Sequence, residues 1–169
     1  MKLTVLIILS SVLIIGCNLS NPWYKIPKNE YGEPILYGKV KYSFTELPTH
    51  KDLEKIDTTA YYVQIFEGRY YNDGERRNPK ILIFHNDGYF KRESLLYFGK
   101  FDAERGKNSV YYGGKWRITG DSIIELEQFL PTSSGSNWYT RNIERGIITG
   151  NKIILKKYGY VYEKRSTFK

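Results

Sequence analysis

The sequence predicts an all-β domain, an antiparallel up-and-down meander that closes into a barrel, and three observations carry that prediction. Sixteen Tyr and eight Phe suit half-buried strands, where aromatic and β-branched side chains pack well. From Ala60 onward, apolar-rich runs alternate with separators of turn chemistry: NDG, ERGKN, TGD, PTSSGSN and TGN. A hairpin pattern also repeats: Ile118-Thr119-Gly120-Asp121 is echoed by Ile148-Thr149-Gly150-Asn151, and Ile123-Ile124 by Ile153-Ile154, with a looser echo in FHNDGYF. Hairpins recurring at one spacing read as a meander, and closing a meander into a barrel removes its edges.

In chain order, residues 18–34 hold three Pro among mostly polar neighbours and read as a tether with a flexible reach of roughly 20 to 25 Å. Ile35 to Phe44 reads as a first extended segment, and a helical turn or two is expected around Asp52 to Lys55. The candidate strands that follow are AYYVQIFEGRYY, KILIFH, GYFKRESLLYFGKF, SVYYGGKWRIT, SIIELEQF, WYTRNIERGIIT and KIILKKYGYVYEK. Asn72-Asp73-Gly74 and the charged stretch before Pro79 form a loop between the first two.

Register is predictable for the hairpin around Gly120. A two-residue turn would set Trp116 opposite Glu125 and mix polar with apolar faces. A three-residue loop, Gly120 to Ser122, instead pairs Ile118 with Ile124, Trp116 with Leu126, Arg117 with Glu125 and Lys115 with Glu127. Because a one-residue slip exchanges the faces, the three-residue register is the expected one. It also makes the outer charges a solvated ladder.

The N-terminus carries an address. Lys2, the apolar run LTVLIILSSVLII and Gly16 read as an export signal. Leu3 to Ile15 would span only about 20 Å as a helix, short of the roughly 30 Å hydrocarbon core. Ile14-Ile15-Gly16-Cys17 resembles the lipobox of bacterial lipoproteins. That resemblance implies a diacylglyceryl group on Cys17 and cleavage after Gly16, leaving Cys17 as an acylated first residue. Two or more acyl chains make a stable anchor. Cys17 is the single cysteine, so disulfides, cysteine nucleophiles and thiolate metal sites are not expected. Asn18 is not the aspartate that retains lipoproteins at the inner membrane, so the resemblance implies the outer membrane, and the run NLSNPWYK after the cysteine lacks the acidic residues that mark surface export, which points to the periplasmic face. Trp23 suits a membrane interface.

Beyond residue 16 the chain is the size of one domain with one core. The net charge of +8 is scattered without a polybasic block, which suits a solvated surface near anionic headgroups. Nucleic-acid binding would need a clustered stripe and a fold motif, neither of which is present in the sequence. The positive charge also argues against inhibition of a basic enzyme such as lysozyme.

The search for chemistry finds little. His50 and His85 are the two histidines, and neither has metal-ligand spacing; His85 beside the NDG turn reads as a strand-end polar residue. Ser133, Ser134 and Ser136 lie in a glycine-containing loop without a nucleophile elbow. Glu125 and Glu127 alternate on one strand face, about 7 Å apart by strand rise, a separation an inverting glycosidase uses; pairing with Arg117 and Lys115 makes a charge ladder the better account.

Tyr112-Gly113-Gly114-Lys115-Trp116-Arg117-Ile118-Thr119-Gly120-Asp121, followed by Ile123-Ile124 and Leu126, resembles the GxW-x-I-x-G-D-x-I hairpin of bacterial lipocalin-like lipoproteins. The likeness covers Ala60 to about Glu163 and implies a lipocalin-like barrel.

The resulting expectation is a signal peptide over 1–16, a lipidated N-terminus and tether over 17–34, and a lipocalin-like β-barrel over 35–169. The protein is expected to be a noncatalytic envelope lipoprotein without cofactor or metal, held to the membrane through Cys17, binding a small amphipathic ligand or an envelope partner. Trp138 and Tyr139, after the SSGSN loop, are the first ligand candidates, with Trp116 and Tyr112 beside them; Trp116 is also expected to lock its hairpin through its indole surface. The alternative is a structural or assembly module contacting envelope protein or polysaccharide by its exterior, and a third reading is a hydrolase assembled from distant residues.

Overall fold

The computed structural model describes residues 22–97 and 106–165. Strands β1 (Trp23–Lys25), β2 (Tyr61–Ile65), β3 (Lys80–Phe84), β4 (Tyr89–Ser94), β5 (Gly113–Thr119), β6 (Ile123–Pro131), β7 (Trp138–Thr149), β8 (Lys152–Leu155) and β9 (Tyr160–Arg165) are joined by helices α1 (His50–Lys55) and α2 (Asp73–Arg77) and by a 3₁₀ turn over Leu95–Tyr97. Sheet order runs β1-β7-β6-β5-β4-β3-β2-β9-β8, and β8 pairs back onto β7. Strands β2 to β9 therefore form a closed eight-stranded antiparallel up-and-down barrel. β7 is long enough to serve three neighbours: β6 along its length, β1 at Trp138 to Thr140 and β8 at Gly146 to Thr149.

The predicted register holds. Ile118 pairs with Ile124, Trp116 with Leu126, Arg117 with Glu125 and Lys115 with Glu127, and Thr119 opposite Ile123 leaves Gly120 to Ser122 as the loop. Period-two alternation sends the even-numbered residues of β2 to β7 inward. Tyr62, Leu82, Phe84, Phe90, Trp116, Ile124 and Leu126 join Ile153, Leu155 and Tyr162 of β8 and β9 in one buried cluster. The Trp116 indole N–H donates to the His85 carbonyl at 3.1 Å, and its ring meets Phe84 edge-on. Room for these rings comes from Gly114, where a Cβ would stand 1.9 Å from the Glu127 carbonyl oxygen and 2.9 Å from Phe90.

The two ends of the barrel differ. One, the hairpin end, holds the short turns 85–88, 120–122 and 150–151, and is capped by α1, behind which Ile56 is fully buried in the core. A capping box between Thr49 and Asp52 starts α1, the helical turn expected around Asp52 to Lys55. The other, the loop end, holds the connections 66–79 and 132–137, the 3₁₀ turn and the turn 156–159. Toward this end the interior becomes polar: Gln64 and Gln128 are buried, and Arg92 of β4 reaches across the lumen to Glu144 of β7 at 2.9 Å.

Four expectations differ from the structure. The stretch from Asn72 to Pro79, expected as a loop, holds the short helix α2, because Asn72 caps it and Glu75 completes a capping box. The stretch KIILKKYGYVYEK is two strands, because Gly159 turns the chain with φ +64, a left-handed conformation glycine adopts without steric cost. Residues 22–34, read as tether, are folded onto the barrel: β1 pairs with β7, Ile26 is buried, and a bridge joins Lys28 to Pro34. Ile35 to Phe44 forms no strand beyond one bridge, Ile35 to Ser109; it runs as an irregular strap over the outside of the barrel. Its Tyr42 packs with Ile26, Val110, Phe129 and Tyr139 in a second buried cluster on that outer wall.

Candidate functional site

The strap is fixed by the outer charges of β5, β6 and β7. A segment lying across a sheet cannot join its ladder, so its amide groups need other acceptors. Glu127 supplies them: its carboxylate accepts from the Ser43 amide at 2.7 and 2.8 Å and from the Phe44 amide at 2.8 Å. Arg141 forms an ion pair with Glu127 at 2.9 Å and donates to the Lys41 carbonyl at 2.7 Å. Arg117 lies 4.1 Å over the Phe44 ring.

Glu125 has an analogous setting, accepting from Arg117 at 2.8 Å and Arg145 at 2.7 Å. Burial alone would raise its pKa, yet the two guanidinium groups hold it below the ordinary carboxylate value. The predicted ladder is therefore present in register but not solvated: Glu125 and Glu127 are 2% and 0% exposed because the strap and the arginines cover them. Both carboxylates are engaged in structure, whereas a glycosidase pair faces a cleft and keeps one carboxyl as an acid.

Between the strap and the barrel wall lies a groove of about 340 Å³, with walls of Leu36, Val40, Phe44 and Tyr89 and polar groups from Tyr42 and Lys115. Tyr42 is 7% exposed, and its hydroxyl has no hydrogen-bond partner among the described residues. Burial first, then Tyr89 and Glu127, push its pKa up, so the hydroxyl stays protonated as a donor. Lys115, 9% exposed, donates to the Asp87 carbonyl at 2.9 Å and stands 3.8 Å from the Tyr89 ring centroid. Burial lowers its pKa, with Lys107 adding to that and Asp87 opposing it. The groove thus has an apolar wall with Lys115 and the buried Tyr42 among its lining residues, a composition that suits a small amphipathic ligand.

Two further cavities lie at the ends of the barrel, the one at the hairpin end the more polar. One of about 430 Å³ at the hairpin end lies among Leu53, Asp57, Thr59 and Lys164, and one of about 220 Å³ at the loop end among Gln64, Asn78, Lys80 and Tyr160.

The residues singled out from the sequence do not meet in one place. Trp116 is 1% exposed in the barrel core. Tyr139 is buried in the outer cluster, whereas Trp138, its neighbour, is 47% exposed at the loop end opposite Lys25. The buried Tyr112 has its hydroxyl 2.7 Å from His85 Nε2. Burial chiefly, then Lys107, lowers the His85 pKa, with Lys91 adding and Asp87 opposing. His50 is exposed on α1, 3.2 Å from Glu54. Gly16 and Cys17 lie outside the described residues. Among the described residues no cluster of three His, Cys, Asp or Glu side chains could hold a metal ion, and no helix is long and apolar enough to cross a membrane. Sequence reasoning missed Tyr42 and Lys115 as a pair. The available signal was Phe129, which shares the outward parity of Glu127 and so marks that wall as covered rather than solvated.

Comparison with protein families, curated proteins and solved structures gives no match.

Proposed function

We propose that this chain is a noncatalytic, lipid-anchored protein of the bacterial cell envelope, on the outer membrane facing the periplasm, that binds a small amphipathic ligand in the groove between strap and barrel. The observation that carries the binding half is the buried Tyr42 hydroxyl without a partner among the described residues, in a groove also lined by Lys115. A buried donor left unpaired costs about 1 to 3 kcal/mol, which a ligand acceptor recovers. The volume sits at the lower bound of ligand pockets, about 300 to 1,000 Å³, so the ligand is small. Its head is an anionic or carbonyl acceptor, held by Tyr42 and Lys115, and its body lies along Leu36, Val40 and Phe44. The anchoring half rests on Ile14-Ile15-Gly16-Cys17.

Native mass spectrometry of the protein purified from its own envelope in mild detergent tests both halves. The expected spectrum carries acyl chains on Cys17 and a noncovalent adduct that weakens about fivefold in Tyr42→Phe, the loss of one hydrogen bond. A bare mass without adduct overturns the ligand reading, and a mass without acyl chains overturns the anchor.

A further inference from the structure

We infer that the loop end of the barrel rests directly on the bilayer, with Trp23 and Trp138 seated in the headgroup layer; the inference rests on the Cys17 anchor proposed above. Trp23 pairs with Thr140 and Lys25 with Trp138, so the two tryptophans are diagonal neighbours on one face of the β1-β7 ribbon. They are 67% and 47% exposed. The same end exposes Tyr70, Tyr97 and Tyr158 at 84%, 50% and 47%. The turns of the hairpin end, by contrast, carry only polar residues and glycine: His85-Asn86-Asp87-Gly88, Gly120-Asp121-Ser122 and Gly150-Asn151.

Chain length commits this surface to lipid. Trp23 is the sixth residue after Cys17, and six extended residues span at most about 20 Å. A strand already paired with the barrel at Trp23 leaves no slack beyond that. An acylated Cys17 sits at the top of the hydrocarbon, beneath a headgroup layer of about 5 to 8 Å per leaflet. The loop end is therefore held within a short distance of the membrane by the covalent path itself. Its chemistry matches what it meets: Trp and Tyr favour the interface between hydrocarbon and water. The exposed Lys25, Lys156 and Lys157 complement anionic headgroups. Of the acids at this end, Glu67 and Glu75 are paired with Lys152 and Arg69, whereas Asp73 stands exposed on α2.

The test uses the full acylated protein reconstituted into phosphatidylethanolamine–phosphatidylglycerol vesicles whose acyl chains carry bromine, a short-range quencher of indole emission. Trp116, 1% exposed in the core, is the internal reference. The expected result is strong quenching that Trp23→Phe and Trp138→Phe each reduce and the double variant abolishes, leaving the unquenched Trp116 emission. Acylated, vesicle-bound protein whose Trp23 and Trp138 emission is untouched by brominated lipid, and still open to acrylamide, overturns the membrane contact and leaves the rim to an envelope protein. A mass lacking acyl chains overturns the anchor, and with it this orientation.

Discussion

Glu127 accepts the Ser43 amide proton at 2.7 Å across 84 positions of sequence, and that contact ties the strap to the barrel. Replacing Glu127 with Ala leaves two amides without their acceptor and Arg141 with only the Lys41 carbonyl as acceptor among the described residues. Removing one partner of such a buried charge costs about 3 to 5 kcal/mol. The strap is expected to open ahead of the barrel. Limited trypsin digestion checks this: cleavage at Lys39 and Lys41 accelerates while the barrel remains intact, and an unchanged digestion pattern rules the clamp out.

Inside the barrel, Glu144 has a fully buried side chain that pairs with Arg92, and its Oε1 has no hydrogen-bond partner among the described residues. A half-satisfied buried pair is a poor source of stability, whereas leaving one charge alone is worse. Arg92→Met alone is therefore expected to destabilise by about 3 kcal/mol, and the double variant Arg92→Met with Glu144→Leu to recover most of the loss. Urea denaturation of the three proteins checks the order; a double variant less stable than the single one would refute it.

His85 gives the fold a pH dependence. Burial depresses its folded pKa below the ordinary 6.5, so between the two values the unfolded chain binds the proton more readily and stability rises with pH. The contribution is fully present above 6.5 and is lost as pH falls toward the folded value. His85→Gln is expected to flatten the difference in unfolding free energy between neutral and mildly acidic buffer. An equally steep profile in the variant would assign the dependence to another group.

Gly114 and Gly120 make a matched comparison. A Cβ at Gly114 meets the Glu127 carbonyl at 1.9 Å, whereas Gly120 has open space around it and φ +65. Alanine at 114 must force β5 away from β6 and is expected to cost about 3 kcal/mol or more. Alanine at 120 incurs only the left-handed backbone term, about 1 to 2 kcal/mol. Thermal unfolding of both ranks them, and equal losses would contradict the packing argument.

The barrel was legible because its signals are local. Alternation fixed the faces of β5 and β6, and the requirement that Trp116 and Leu126 share a face fixed their register. The strap was not legible, since Leu36, Val40, Tyr42 and Phe44 alternate like a strand. Only Glu127, far along the chain, shows why their backbone needs no ladder. The turn at Lys156 to Gly159 lacks Asn, Asp and Pro, so one long apolar run concealed two strands. The groove was hidden for the same reason as the strap, because Tyr42 and Lys115 are brought together by tertiary packing alone.

The pairing of β1 with Trp138 to Thr140 has a consequence for how the chain is handled and for how it ages. Among the described residues, only β6 lies on the other side of that stretch of β7, so β1 is the sole cover of an otherwise open row of backbone donors and acceptors. A protein trimmed at residue 35, where the sequence suggests the domain begins, would expose that row and recruit a strand from a neighbouring molecule. If the chain is held through Cys17 as proposed above, proteolysis beyond Lys25 would do two things at once: release the barrel from its anchor and make it self-adhesive.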